Sequence, residues 1–290
     1  VRVLPRAGSP AARAVLTVRA AGEKLGITAA LSARLARGPR PPVLMTLVYR
    51  RAGAPQVEGL VRDLLAEAEA VGSSARAVLW ALDEPAPQLA AWTLGHGPGA
   101  RLDLHARVRE HALGAAATSS GEQPYWVVSD DDVRYSRGSV GRLVALMARG
   151  GIDVAGPAHC ATSEWNHSFT LARPFTVARS CHFVETGPVL AFSPRAQERL
   201  LPFPVGSAAG WGMEAHWSSR TQEGLRSAIV DAVAVDHLVP MGGSYDAVAE
   251  WENCRAFTRR YGVEDVSDLK TVVGAWRAWQ PRAPWLTTSG

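Results

Sequence analysis

The apolar positions of this chain fall into short runs separated by stretches of helical period. Val43-Leu44-Met45-Thr46-Leu47-Val48-Tyr49 is a nearly unbroken apolar run bounded by turn residues, the pattern of a strand buried on both faces. Val57 to Val71 carries its apolar residues at helical spacing, and Ala77-Val78-Leu79-Trp80-Ala81-Leu82 is again a buried strand, ending at Asp83. Strand, helix and strand joined by short links predict a parallel sheet. Gly95-His96-Gly97-Pro98-Gly99 reads as a loop, and it lacks the Lys-Ser/Thr ending of a phosphate loop. Leu104 to Ala117 then reads as helix, Tyr125 to Ser129 as strand, Val140 to Ala148 as helix and Ile152 to Gly156 as strand.

Residues 157–182 are rich in His, Trp, Asn, Arg and Ser without clear period, which predicts a working loop or an irregular insertion. Phe183 to Phe192 reads as a strand closed by Ser193-Pro194, an N-cap followed by proline at the first helical position. Ile229 to Val235 is strand-like, and two amphipathic helices near 244–260 and 265–280 finish the chain. At the other end, Val15 to Arg37 has roughly helical spacing and Gly38-Pro39-Arg40-Pro41-Pro42 stops it. Residues 1–42 therefore read as an N-terminal helical arm, its modest basic face favouring a loosely held arm over a membrane-surface helix. Residues 43–290 read as one α/β domain with C-terminal helices.

Composition narrows the class only modestly. With 47% hydrophobic and 20% charged residues the chain has the balance of an ordinary soluble globular protein. No stretch approaches the roughly 18 uninterrupted apolar residues of a transmembrane segment, and the arginine-containing amino-terminal region has no pure apolar block of a secretory signal. The three cysteines, Cys160, Cys181 and Cys254, are odd in number and widely spaced, unlike a disulfide framework or a zinc knuckle, so a reducing, cytoplasmic setting is the simplest expectation. The net charge of +4 comes mostly from arginine, which suits an anionic ligand but is too dispersed for nucleic acid.

Candidate chemistry begins at Tyr125-Trp126-Val127-Val128-Ser129-Asp130-Asp131-Asp132, a hydrophobic run that ends in three carboxylates. Adjacent carboxylates repel unless a cation, a donor or water relieves them, so the triplet is a solvated turn or a metal site. In open α/β sheets ligands gather outside the carboxyl ends of strands, where this triplet lies. Asp130 and Asp132, two apart on an extended turn, could face one hard divalent ion such as Mn²⁺ or Mg²⁺, leaving Asp131 to contact a hydroxyl. A second acidic stretch, Gly210-Trp211-Gly212-Met213-Glu214-Ala215-His216-Trp217, is followed by Val235-Asp236-His237.

Together these stretches resemble the nucleotide-sugar glycosyltransferases of the GT-A fold. Val127-Val128-Ser129-Asp130-Asp131-Asp132 looks like the strand ending in a DxD motif that supplies the metal bridging the donor diphosphate. Gly210-Trp211-Gly212-Met213-Glu214 is similar to the Trp-Gly-Trp-Gly-Gly-Glu-Asp element of beta-1,4-galactosyltransferases and to the acidic acceptor-side motif of family-two inverting enzymes. This chain has one acidic residue there where the galactosyltransferases carry several. Asp236-His237 resembles the histidine that completes the metal site in part of the superfamily. The resemblance spans roughly residues 43–240 and implies a Rossmann-like, mixed and mostly parallel sheet flanked by helices. It further implies Asp130, Asp132 and His237 as metal ligands, and Glu214 as the base that deprotonates the acceptor hydroxyl. Tyr49, Arg50, Asp83, Arg107 and Asp131 would meet the donor, with Arg109 neighbouring Arg107. Each of these residues has an ordinary structural alternative: a helix cap for Glu214, a satisfied histidine for His237, and solvated side chains for the donor set.

Trp211 and Trp217, beside glycines, would offer a stacking platform for an acceptor sugar or serve as core aromatics. Trp165 and His167, with Asn166 and Arg173, lie in the irregular stretch where acceptor choice is expected. The resulting expectation is a metal-dependent hexosyltransferase that moves a sugar from a UDP- or GDP-sugar to a hydroxyl acceptor, with inversion. A retaining transferase, a sugar-phosphate nucleotidyltransferase and a non-catalytic carbohydrate-binding module are the alternatives. Self-association into a homo-oligomer stays open.

Overall fold

The computed structural model describes residues 27–36, 40–116, 122–206, 208–240 and 246–286. Most of the predicted N-terminal arm, including residues 1–26, lies outside the described residues. The part that is described forms helix α1 (Ile27–Leu35), whose Leu35 enters the core and whose Thr28 hydroxyl accepts a hydrogen bond from the Phe175 amide at 3.0 Å.

The remaining described elements follow in chain order as β1 (Val43–Tyr49), α2 (Ala54–Ala70), β2 (Ala75–Ala81), β3 (Thr93–His96), α3 (Arg101–Ala116), β4 (Tyr125–Ser129), β5 (Val133–Arg137), α4 (Val140–Gly150) and β6 (Val154–His159). They continue with β7 (Thr176–Cys181), β8 (Val189–Phe192), α5 (Pro194–Leu200), α6 (Met213–Arg220), β9 (Ser227–His237), α7 (Ala247–Arg259) and β10 (Val272–Arg277). One mixed sheet runs β10-β7-β9-β6-β8-β4-β1-β2-β3, with β5 paired to β9. Its β4-β1-β2-β3 side is parallel, β6 and β9 are parallel, and β8 joins the two groups antiparallel to both β4 and β6.

Both sheet faces are covered, which explains the unbroken apolar runs. On β1, Val43, Met45, Leu47 and Tyr49 enter one core while Leu44 enters the other; on β4, Val127 faces the first and Trp126 and Val128 the second. The first core is closed by α2, through Val57, Leu60, Val61 and Leu64, and by α4, through Leu143, Val144 and Met147. The second is closed by α3, α5, α6 and α7, through Val108, Leu200, Trp217 and Phe257 among others. Capping follows the sequence. Ser139 accepts from the Arg142 amide at the start of α4, and Gly151, left-handed at φ 56°, ends it; Ser193 accepts from Ala196 ahead of Pro194.

Several sequence expectations need correction. The helix predicted at 265–280 is a short 3₁₀ turn, Val266–Leu269, followed by β10, because the β-branched pair Val272-Val273 and Gly274 favour an edge strand against β7 over a helix. The strand predicted over 183–192 is confined to Val189–Phe192, since Thr186-Gly187-Pro188 turns the chain. The irregular stretch 157–182 contains the end of β6 and all of β7, and the predicted loop at 95–99 begins inside β3. Residues 133–137, unassigned by pattern, form β5, which proves decisive for the site.

Candidate functional site

The carboxyl end of β4 delivers Asp130, Asp131 and Asp132 to a cleft of about 820 Å³ along the sheet edge. Each carboxylate is held differently. Asp130 Oδ1 accepts from Arg101 Nε at 2.6 Å, at the start of α3. Asp131 Oδ2 accepts from the Arg50 amide at 2.7 Å, tying the triplet to the end of β1. Asp132 Oδ2 lies 3.1 Å from His237 Nε2. Burial, opposed by the Arg50 amide and reinforced by the charges of Asp132 and Asp130, pushes Asp131 up to about 6.

The meeting of Asp132 and His237, 105 positions apart in numbering, is the work of β5. After the triplet the chain turns into β5, which pairs antiparallel with β9 so that Val133 stands opposite His237 and the Leu238 amide donates to the Asp132 carbonyl at 2.9 Å. Burial pulls the His237 imidazole down, but the hydrogen bond and charge of Asp132, with Asp130 and Glu185, outweigh it and leave His237 raised.

On the facing wall, Glu214 at the start of α6 is buried and receives three donors. Thr186 gives its amide at 3.0 Å and its hydroxyl at 2.7 Å to Oε1, and the Gly212 amide reaches Oε2 at 2.9 Å. Gly212 is the residue preceding α6, so Glu214 does act as a helix cap while also lining the cleft. Burial raises its pKa and the three donors oppose that rise. The segment it clamps, 185–188, docks on the acidic triplet: the Pro188 carbonyl accepts from the Asp130 amide at 2.9 Å, and the Thr186 carbonyl from Arg101 at 3.1 Å. The contact at Gly187 is close, since a Cβ there would stand 3.2 Å from Asp130 Oδ2.

Of the sequence-predicted residues, Arg50, Asp130, Asp131, Asp132, His167, Trp211, Glu214 and His237 line this one cleft. Trp211 packs edge-on against Trp251 of α7, with ring centroids 6.0 Å apart. His167 lies edge-on to Phe183 and is pushed down to about 4 by burial, with Lys270 and His159 adding to it.

Other candidates are elsewhere. Trp217 is fully buried, packs on Phe192 and donates to the Val184 carbonyl, so it is a core residue with no acceptor surface to offer. The Tyr49 side chain is likewise buried and bonds Thr93 and the Ala86 amide. Asp83 accepts from the Arg51 amide and caps the turn after β1, outside the cleft lining. Arg107 lies over the Trp80 ring, outside the cleft lining, and Arg109 is bonded to Gln197. Trp165 is half-buried but does not line the cleft.

The site also holds residues the sequence reading missed. Arg101 is the basic residue that actually reaches the triplet; its place at a helix start, where the dipole disfavours a cation, was a usable signal for an acidic partner. Glu185 lines the cleft from within the apolar stretch Phe183-Val184-Glu185, where a lone carboxylate is itself informative. Glu250 and Trp251 complete the wall from α7.

Whether a divalent ion suits these residues can be judged from the donor set. Among the described residues no group of three or more His, Cys, Asp or Glu is arranged to hold a metal. Asp132 and His237 do fit as a pair: at 3.1 Å their facing atoms have the separation of two neighbouring ligands at about 2.1 Å from one small octahedral ion. Asp130 is turned to Arg101 instead.

No family model matches the chain, and none of the curated proteins does. Among solved structures the chain is similar to a mannosyltransferase, PcManGT from Pyrobaculum calidifontis in complex with GDP-Man and Mn²⁺, at 16% identity and a TM-score of 0.48, covering 79% of this chain and 69% of that one. It is also similar to GalNAc-T7 with UDP, GalNAc and Mn²⁺, at 11% identity and a TM-score of 0.49, covering 77% of this chain and 48% of that one, about half its length. At these identities and scores, what the cleft does rests on its own residues.

Proposed function

We propose that the cleft binds a nucleoside diphosphate sugar and transfers the sugar, with inversion, to an acceptor hydroxyl, as a GT-A glycosyltransferase does. The observation that carries this is convergence. An acidic triplet at a strand end, a histidine from a distant strand, the buried Glu214 and the half-buried Glu185 line one cleft at the carboxyl edge of the sheet. The β5–β9 ladder stands Asp132 and His237 side by side, 3.1 Å apart, in the lining of that cleft, where both can serve one ligand.

Asp132 and His237 are the residues that would hold Mn²⁺ or Mg²⁺, and the chemistry supplied there is neutralisation of charge on the diphosphate. Arg101 offers a further cationic contact to the same phosphates, oriented by Asp130. Asp131 fixes the end of β1, where Arg50 enters the cleft. Trp211, Trp251 and His167 supply the aromatic lining suited to the faces of sugar rings. A carboxylate within hydrogen-bond reach of the acceptor is the remaining requirement, and Glu214 and Glu185 are the two in the right wall.

Incubation with a set of UDP- and GDP-sugars, with and without Mn²⁺, followed by measurement of released nucleoside diphosphate, tests the reading. Metal-dependent release from at least one donor is the expected result. No release from any of them, with or without an acceptor sugar present, would overturn it.

A further inference from the structure

Glu214 and Glu185 share a wall but differ in what surrounds their oxygens. Both oxygens of Glu214 are already occupied by three donors, two of them main-chain amides, which leaves it fixed and its lone pairs engaged. Glu185 has one donor, Asn166 Nδ2 at 3.2 Å on Oε1, and its Oε2 is buried without a hydrogen-bond partner. His159 Nε2 stands 3.6 Å from that oxygen. A buried carboxylate oxygen without a partner is costly, and in a residue that lines the cleft it calls for a ligand, a water or a reaction that uses it.

His159 is itself held in place. Its Nδ1 lies 3.0 Å from the Ser163 hydroxyl, which also receives the His237 amide at 2.8 Å. The Ser163 hydroxyl donates to the Glu164 carbonyl at 3.2 Å, so its oxygen is the acceptor for both His159 Nδ1 and the His237 amide, which fixes the ring with Nε2 towards Glu185. The same serine joins this arrangement to the strand end that carries His237.

We propose that Glu185, rather than Glu214, takes the proton from the attacking hydroxyl, and that Glu214 positions the 185–188 segment on which Glu185 rides. This rests on the glycosyl-transfer reading. In the step, a lone pair of the acceptor oxygen forms the new bond to the anomeric carbon. The bond from that carbon to the diphosphate oxygen breaks, and its electron pair leaves with the diphosphate. The hydroxyl proton passes to Glu185, which becomes a neutral acid. With water as acceptor the same step is donor hydrolysis, so the role can be measured before the natural acceptor is known.

The test compares wild type, Glu185→Gln and Glu214→Gln for Mn²⁺-dependent hydrolysis of the UDP- and GDP-sugars, with melting temperature and the donor-induced thermal shift read alongside. Glu185→Gln should lower turnover by about 10²- to 10⁴-fold while its melting temperature is no lower than that of wild type and its donor-induced shift is kept. Glu214→Gln should lower the melting temperature and keep more turnover than Glu185→Gln when assayed well below it. Turnover of Glu185→Gln within about threefold of wild type would overturn the assignment alone, given that 10²-fold is the least such a base contributes. A wild-type protein that shows neither hydrolysis nor a thermal shift with any donor would overturn the glycosyl-transfer reading and this assignment with it.

Discussion

The two walls of the cleft are built on different principles. One wall is the edge of the parallel sheet, where the ends of β1 and β4 place Arg50 and the acidic triplet chiefly through backbone register: Leu47 stands opposite Ser129, β1 runs two residues further, and Asp131 accepts from the Arg50 amide. The other wall is made of 185–188, 208–214 and α7, which have no common ladder and are joined by side chains. Glu214 bonds Thr186 and Gly212, and Glu250 Oε2 accepts from the Ala209 amide at 3.2 Å. A wall set by register tolerates change in its side chains, whereas a wall set by buried polar side chains is lost with them. The first wall is therefore expected to respond to mutation in catalysis, and the second in stability as well.

The largest expected effect is on the register-built side. Asp132→Ala should cut Mn²⁺-dependent donor turnover by about 10²- to 10³-fold with little change in melting temperature, because the backbone contact to Leu238 that joins β5 to β9 uses the Asp132 carbonyl. A large loss of stability in this variant would erase the contrast between the walls.

Next comes a buried ion pair between β7 and β9. Arg179 and Asp231 are both fully buried, bonded at 2.8 and 3.0 Å, and Arg179 also holds the Phe169 and Leu171 carbonyls. Removing one partner strands the other charge, so Arg179→Met should cost about 3–5 kcal/mol by denaturant unfolding. Glu214→Ala leaves the Thr186 and Gly212 amides without their acceptor and should cost less, about 1–3 kcal/mol.

A smaller effect separates the glutamates by pH. Burial raises Glu185 to about 7; Asn166 opposes the rise, Glu214 adds to it, and His237 and Lys270 oppose it. A carboxyl whose folded pKa lies above its unfolded value favours folding below the unfolded value, and that contribution is lost as pH rises through the folded one. Wild type should therefore lose stability relative to Glu185→Gln between pH of about 4.5 and 7. Parallel melting curves for the two proteins across that window would count against a buried, partner-poor Glu185. The smallest effect is expected at Arg107, outside the cleft lining over Trp80: Arg107→Ala should leave donor affinity within about twofold.

The same division explains what could be read from sequence. The register-built wall was legible, because β1 and β4 are apolar runs whose ends are marked by Arg50 and the aspartates, and strand ends are where α/β sheets place ligands. Helix α2 was legible from its period, which points to one buried face. Gly-Trp-Gly-Met-Glu was visible as a candidate too, although the cleft takes Trp211 and leaves Trp217 in the core. What was hidden depended on pairing between distant segments. Val133-Arg134-Tyr135-Ser136-Arg137 is too short and polar to declare itself a strand, and only its ladder to β9 brings Asp132 to His237. Arg101 in place of Arg107 is a matter of about 1.7 helical turns, which periodicity fixes poorly at a helix's first residue. Glu185 was masked by the apolar run around it.

Among the described residues no helix is long and apolar enough to cross a membrane. The most direct test of the central claim is the thermal shift of wild type and Asp132→Ala with UDP- and GDP-sugars, in Mn²⁺ and in EDTA. At a hundredfold excess over its dissociation constant a ligand stabilises the fold by about 2.7 kcal/mol, a rise of several degrees. The account predicts that rise for wild type with at least one donor in Mn²⁺, and its loss in EDTA and in Asp132→Ala. An equal shift in all these conditions, or none in any, would contradict it.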